Sequence, residues 1–253
     1  MLSLEKVSFS YSPDTDPTLK EIELEVKKGE FIAILGANGS GKTTLARILG
    51  GLALPTGGCL KFNGEIPGSR DFRPGILLSN PEDQFFAPVV EEDIAFGLEN
   101  RGVPSEQIGL RVREVLEELN LSRFSRREVQ TLSAGQQQKT ALASLVALRP
   151  DLIILDEPFA YLDLKEQRDM AACLEDLRRR SKVTVIMFTH YLYWGLRTDR
   201  FYLLRNSRLS APRFPADILD HLDGLEGIMI PEIVRLRHLL KKAEIKLPVS
   251  TMI

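Results

Sequence analysis

Gly36 to Thr44 constrains this chain more than any other stretch. It reads Gly36-Ala37-Asn38-Gly39-Ser40-Gly41-Lys42-Thr43-Thr44, an instance of G-x-x-x-x-G-K-[ST]. Before it, Phe31-Ile32-Ala33-Ile34-Leu35 is a short unbroken apolar run, as in a strand buried on both faces of a parallel sheet. After it, Leu45, Ile48, Leu49 and Leu52 repeat with helical spacing. Strand, glycine-rich loop and helix are the setting this motif needs. Such a loop turns several backbone N–H groups inward, and the helix start adds its own unpaired N–H groups and positive dipole end. Lys42 supplies a mobile charge for the outer phosphates. Thr43 offers a hydroxyl to Mg2+, and Thr44 can bond a phosphate oxygen. The plain alternative is a flexible Gly/Ser turn with a solvated lysine, which the flanking strand and helix disfavour. By itself the loop implies a nucleoside triphosphate and no particular protein.

The rest of the chain narrows the class. Its 253 residues suffice for one large α/β domain with or without a tail. Lys plus Arg total 33 against 35 Asp plus Glu, so the basic excess of a general nucleic-acid binder is missing. Two cysteines, Cys59 and Cys173, imply no disulfide framework and suit a reducing compartment. The first residues do not read as a signal peptide, and the apolar runs are too short to span a bilayer. A cytoplasmic protein is expected, one that needs partners for any membrane task.

In order, apolar residues at Leu2, Leu4, Val7, Phe9 and Tyr11, then at Ile22, Leu24 and Val26, predict half-buried antiparallel strands. Asn63-Gly64 predicts a hairpin turn within Cys59–Ile66. Gly75–Leu78 predicts a short buried strand. From about residue 82 to 149 the pattern turns helical and charged. One stripe there is Ile108, Val112, Val115, Leu116 and Leu119, with Ser105 placed to cap the helix. Strands are expected again at Leu152–Leu155, Val183–Phe188 and Phe201–Leu204. A helix carrying Met170, Cys173, Leu174 and Leu177 on one face lies between the first two. This alternation predicts a parallel sheet with right-handed crossovers. From Pro212 the chain is expected to leave the core. Pro231 is expected to start a last helix with Ile233, Leu236, Leu239 and Leu240 on its apolar side. The expected fold is α/β: a P-loop NTPase core with mixed sheet, an N-terminal antiparallel β part, an inserted helical subdomain and a C-terminal helical extension. The expected limits are 1–211 and 212–253, with the helical subdomain at about 82–149.

Two further motifs carry chemistry. Asp156-Glu157 follows the buried run Leu152–Leu155, so Asp156 is placed to hold Mg2+ directly or through water. Glu157 can orient or deprotonate an attacking water; its plain alternative is an acid at a helix start. Between the two motifs lies Leu132-Ser133-Ala134-Gly135-Gln136, small residues leading into a helix. That is a second anion site, without a lysine, or simply a serine N-cap.

Taken in this order, the motifs resemble those of the ATP-binding-cassette ATPases over essentially residues 1–210. Leu132 to Gln136 is similar to that family's signature, usually Leu-Ser-Gly-Gly-Gln, with Ala134 the only departure. The resemblance implies ATP and Mg2+ as ligands, and a second cassette whose ATP meets Ser133, Ala134, Gly135, Gln136 and Asp163 of this chain. It places Tyr11 where an aromatic stacks on adenine, and His190 where a switch histidine meets the γ-phosphate. The family usually has a glutamine at the end of the strand before the helical insert. Ser79 stands there, too short to span to Mg2+, with Gln84 a few residues later.

Asn80 to Pro88, followed by Val90 to Gly97, is similar to the energy-coupling-factor and cobalt-type importers. There this segment touches the membrane-embedded coupling subunit, which implies a contact role for Asp83, Gln84, Phe85 and Phe86. The plain alternative for Phe85 and Phe86 is packing within the insert. The tail also resembles that branch, in which a C-terminal extension supports dimerisation. The resemblance thus implies an ATPase subunit, peripheral on the inner face of the cell membrane, that energises import of a vitamin or transition-metal ion. Its implied partners are a coupling subunit, a substrate-binding membrane subunit and a second cassette, with a heterodimer favoured because of Ser79. The alternatives are a weakly hydrolysing structural partner, or a soluble cassette protein of DNA repair or translation.

Overall fold

A computed structural model describes residues 1–66, 74–220, 222 and 225–242. The chain begins with β1 (Leu2–Phe9), β2 (Leu19–Val26) and β3 (Phe31–Leu35), then α1 (Lys42–Leu49), β4 (Gly57–Phe62) and β5 (Gly75–Leu77). Three helices follow: α2 (Val90–Asn100), α3 (Ser105–Glu118) and α4 (Ala134–Ala147). Then come β6 (Leu152–Asp156), α5 (Leu164–Ser181), β7 (Thr184–Thr189) and the short α6 (Leu192–Gly195). The chain ends in β8 (Arg200–Arg205), β9 (Arg208–Leu209) and α7 (Glu232–Lys242).

These strands form two sheets. β2, β1 and β4 make an antiparallel sheet in that order. The second sheet has the order β5-β6-β7-β3-β8-β9, parallel except for β9. Its central strands are buried on both faces, and the period of two divides their residues between two cores. Ile32, Ile34, Ile154, Ile186 and Phe188 pack with α1 and the antiparallel sheet. Ala33, Leu35, Leu155, Val185 and Met187 pack with the helical insert and α5. The expected α/β fold is therefore present, with antiparallel and mixed sheets. Because β6, β7 and β3 are neighbours and parallel, the loops after all three leave at one edge, where open α/β sheets place ligands.

The local expectations need four corrections. Leu52 lies beyond α1 and is 59% exposed. Ser105 does not cap α3: Pro104 holds the N-cap position and no side chain bonds there, because Ser105 is already the first helical residue. The Asn63-Gly64 turn, by contrast, forms as expected: Phe62 and Glu65 pair antiparallel across it, while β4 itself pairs with β1. The chain does not leave the core at Pro212. Arg213 and Phe201 exchange two backbone hydrogen bonds, and Ile218, Leu222, Leu225, Ile228 and Val234 are buried in the main core. In α7 the expected apolar side is the exposed one: Ile233, Leu236 and Leu239 face outward and Val234 packs inward.

The free edge of β5 is closed by a side chain. The Leu78 N–H donates to Gln84 Oε1 at 2.7 Å, and Gln84 Nε2 donates to the Ile76 carbonyl at 3.2 Å. An amide presents one donor and one acceptor side by side, so Gln84 stands in for a strand residue. Gln84→Ala is expected to lower stability by about 1–2 kcal/mol, read from the urea midpoint. An unchanged midpoint would show that the edge does not depend on this amide.

Candidate nucleotide site

The loop after β3 is fixed at its start. The Gly36 N–H donates to the Thr189 carbonyl at the end of β7, at 3.2 Å. A Cβ on Gly36 would lie 2.4 Å from Ser40 Oγ and 2.8 Å from the Leu204 carbonyl, so only glycine fits. Asn38 and Gly39 are exposed at the tip, and Gly41 leads into α1. Lys42 is 6% exposed. Its Nζ donates to the carbonyls of Gly36 and Ala37 at 2.9 and 3.1 Å and lies 3.3 Å from Glu157 Oε1.

Thr43 faces outward, whereas Thr44 is buried and its hydroxyl lies 2.9 Å from Tyr11 Oη. The Tyr11 ring is 66% exposed and meets Phe9 edge-on. One face of the site therefore ends in an open aromatic ring, anchored to the first turn of α1 by its hydroxyl.

Asp156 ends β6, fully buried, and neither carboxylate oxygen has a hydrogen-bond partner. Burial pushes its carboxyl above the usual range, and the Glu157 charge adds to this. Thr43 pulls it back without reaching hydrogen-bond geometry, helped by the charges of Lys42 and Arg47. A buried, unpartnered carboxylate close to the exposed Thr43 fits Mg2+, which takes few protein ligands and completes its shell with phosphate oxygens and water. Among the described residues no group of three or more His, Cys, Asp or Glu is placed to hold a metal ion by itself.

Glu157 has φ +52, an uncommon conformation for a non-glycine residue. Its N–H is held by the Phe188 carbonyl at 2.9 Å. Its Oε1 lies 3.0 Å from His190 Nδ1 as well as 3.3 Å from Lys42 Nζ, while Oε2 is buried without a partner. The structure thus brings Lys42, Asp156, Glu157 and His190 together from the ends of β3, β6 and β7.

A second group gathers at the start of α4. Ser133 caps this helix, and Gln136 returns the bond to the Ser133 N–H. Asp163 caps α5 in the same manner with Glu166. Glu166 also reaches across: its Oε1 accepts from Ser133 Oγ at 2.8 Å and from the Gly135 N–H at 3.3 Å. Asp163-x-x-Glu166 is legible as a capping box, but the reach to Ser133 has no sequence signal. Ala134 is exposed, as are Tyr161 and Leu164 on either side of Asp163.

The third group surrounds Phe86. Asp83 bonds Asn80, Gln84 is turned onto β5, and Phe85 packs partly into the core. Phe86 is 75% exposed and stacks on Phe96 at 5.1 Å. Asp93, only 4% exposed, accepts from the N–H groups of Phe86 and Ala87 and from Ser144 Oγ in α4. One carboxylate therefore ties the aromatic segment to the helix that Ser133 caps. Sequence reasoning missed Asp93, since an acid in the first turn of α2 reads as an ordinary dipole partner. Ser79 is half-buried at the end of the β5 segment.

A sequence profile described as ABC transporter matches residues 19–160, more than half of the chain. The chain belongs to the ABC transporter family. The energy-coupling factor transporter ATP-binding protein EcfA of Enterococcus faecium is 36% identical over 260 residues, covering 100% of this chain and 93% of the relative. EcfA1 of Enterococcus faecalis is 36% identical over 258 residues, covering 99% and 92%. Among solved structures, cbiO1 from Clostridium perfringens, part of the ABC transporter complex cbiONQ, superposes with a TM-score of 0.80 at 27% identity. That match covers 95% of this chain and 98% of the other. A dimeric ATP-binding cassette, MJ0796 bound to ADP and Pi, gives 0.75 at 26% identity over 85% and 99%. The chain is thus an ABC ATPase that resembles the ATPase subunits of energy-coupling-factor importers. Among the described residues no helix is long and apolar enough to cross a membrane.

Asp156→Asn removes a buried charge without changing shape. Because burial raises the carboxyl's folded pKa, its ionisation costs stability as pH rises through that value. In Mg2+-free buffer at neutral pH the variant is expected to be more stable than the parent. Calorimetric unfolding reads this, and a lower unfolding temperature for the variant would contradict it.

Proposed function

We propose that this ABC ATPase is the ATP-hydrolysing subunit of an energy-coupling-factor importer for a vitamin or transition-metal ion. It would sit peripherally on the inner face of the cell membrane. The observation that carries the hydrolytic part is the contact set of Glu157, which joins Lys42 and His190 beside the unpartnered Asp156. The full-length likeness to EcfA proteins supports the importer reading over DNA repair or translation.

Residues Gly36–Thr44 take the triphosphate in this reading, with Tyr11 against the adenine. Lys42 exchanges its two loop carbonyls for phosphate oxygens. Thr43 and Asp156 would hold Mg2+, which would supply neutralising charge to the phosphates. Glu157 positions the attacking water and accepts its proton, and His190 steadies the γ-phosphate through its other ring nitrogen. Water oxygen bonds to the γ-phosphorus as the bond to the β-phosphate bridging oxygen breaks, leaving ADP and phosphate.

Ser133 and Gly135 receive the γ-phosphate of a second cassette, with Ala134, Gln136 and Asp163 beside it. A hydroxyl has a single hydrogen, so that phosphate must displace Glu166 from Ser133. We assign the limits 1–211 to the cassette, about 82–149 to its helical subdomain, and 212–253 to an extension whose outward Ile233, Leu236 and Leu239 serve dimerisation. The exposed Phe86–Phe96 stack, ordered by Asp93, is the surface for the coupling subunit. Asp83 and Phe85 shape that surface from below. Gln84 contributes by holding the segment against β5, since its amide is already engaged.

One observation favours a second, compatible reading. The Gln84 amide is committed to Ile76 and Leu78, so it does not stand in for the glutamine that Ser79 lacks. This supports a heterodimer in which a second cassette supplies the glutamine-bearing site. Glu157→Gln is expected to lower hydrolysis at least about 100-fold while ATP still binds, measured by phosphate release and nucleotide titration. Full turnover by that variant would refute the assigned role. Ser79→Gln is expected to raise turnover of this chain's own site; no gain would leave the heterodimer argument without its basis.

A further inference from the structure

The segment from Leu225 to Ile230 meets the nucleotide site at two points. Gly227 has φ +75, and a Cβ placed on it falls 2.4 Å from Ala37 Cβ and 3.4 Å from Ala37 Cα. Carbon atoms in contact stay about 3.5–4.0 Å apart, so the glycine lets this segment pack directly on the phosphate loop. The Ala37 carbonyl in turn accepts from Lys42 Nζ at 3.1 Å and from the Ser40 N–H at 3.2 Å. The second point is Met229. Its N–H donates to the His190 carbonyl at 2.7 Å, and the Leu192 N–H donates to the Met229 carbonyl at 3.0 Å. These bonds make a short parallel bridge between Tyr191 and Met229. Leu225 and Ile228 are buried in the main core, so the segment is anchored rather than draped over the surface.

We infer that this segment is a brace of the nucleotide site. Gly227 is the positioning residue for the phosphate loop, and the Met229 backbone positions the strand end that carries His190. The inference rests on the reading above that Gly36–Thr44 holds the triphosphate. The brace sets where the Ala37 carbonyl lies, and so where Lys42 is held. It sets from the other side the backbone of the histidine that touches Glu157. The same segment runs through Pro231 into α7, whose outer face carries Ile233, Leu236 and Leu239. A force applied to α7 by a partner therefore reaches both sides of the site through a few residues of chain. The extension is part of the ATP site's framework as well as an outer surface.

The test is nucleotide titration and steady-state hydrolysis of the full chain with MgATP. Gly227→Ala sets a methyl against Ala37. It is expected to raise the half-saturating ATP concentration about tenfold, the effect of losing one charge-assisted hydrogen bond, with kcat changed about threefold at most. Ala37→Gly removes the opposing methyl and serves as its own reference. On that background the added Gly227→Ala is expected to shift half-saturation about twofold at most. Backbone strain at position 227 would persist there, so loss of the effect isolates the contact. Unaltered ATP binding by Gly227→Ala in the parent, or a shift of about tenfold retained on the Ala37→Gly background, overturns the inference. Should Gly227→Ala not fold, hydrogen exchange of the parent decides: MgATP is expected to slow exchange at the Met229 amide, and an unchanged rate overturns the brace. Lys42→Ala separates the two readings. Parent-like ATP binding by that variant sinks the site assignment, whereas weak binding there with the Gly227 results negative sinks only the brace.

Discussion

The Lys42 ammonium is a nearly buried charge held by two carbonyls of its own loop and one oxygen of Glu157. Burying an ammonium costs several kcal/mol unless it is closely paired and hydrogen-bonded. The loop, the end of β6 and the end of β7 must therefore stay in register for this lysine to remain inside. Parallel pairing of β3 with β7 and of β7 with β6 supplies that register. Glu157 then spends one oxygen on both Lys42 and His190, so a change at any one of the three is felt by the others. Asp156 is the counterpart: a charge kept buried without a partner, which a metal ion would satisfy.

The fold and this cluster differed in how far they could be read from the sequence. The phosphate loop, the Asp156-Glu157 pair and the strand runs beside them are local patterns, since a buried parallel strand has to be apolar on both faces. The antiparallel pairing of β1 and β2 followed from alternation. Other features depend on where a side chain points. Gln84 was expected at a partner surface, yet its amide finds the unpaired edge of β5 a few residues back in the chain. Glu166 carries only a local capping signal, and its second partner is 33 residues away in Ser133. Asp93 joins α2 to Ser144, 51 residues distant. Contacts of that separation leave no periodic trace. The C-terminal segment misled for a related reason: Ile218, Leu225 and Ile228 are buried one at a time, without the helical or strand spacing that announces a core element.

The Phe86 and Ser133 groups, and separately α7 and the phosphate site, are joined by structure rather than by proximity in sequence. Asp93 links the exposed Phe86 segment to α4, and Ser133 caps the same helix. Glu166 links that cap to the Asp163 turn. The Leu225–Ile230 stretch links α7 to Ala37 and His190. Each link is a short set of hydrogen bonds or a close backbone contact, and such contacts shift between discrete arrangements rather than stretching. An ABC ATPase that works through partners needs such connections between its outer surfaces and its phosphate site.

On binding MgATP, Lys42 is expected to leave its loop carbonyls for phosphate oxygens while Asp156 gains a metal partner. A crystal structure of the Glu157→Gln chain with MgATP tests this most directly. Lys42 Nζ is expected on the β- and γ-phosphate oxygens, Mg2+ on Thr43 and Asp156, and the adenine against Tyr11. Nucleotide bound elsewhere, with Lys42 still on the Gly36 and Ala37 carbonyls and Asp156 still without a metal, would contradict it.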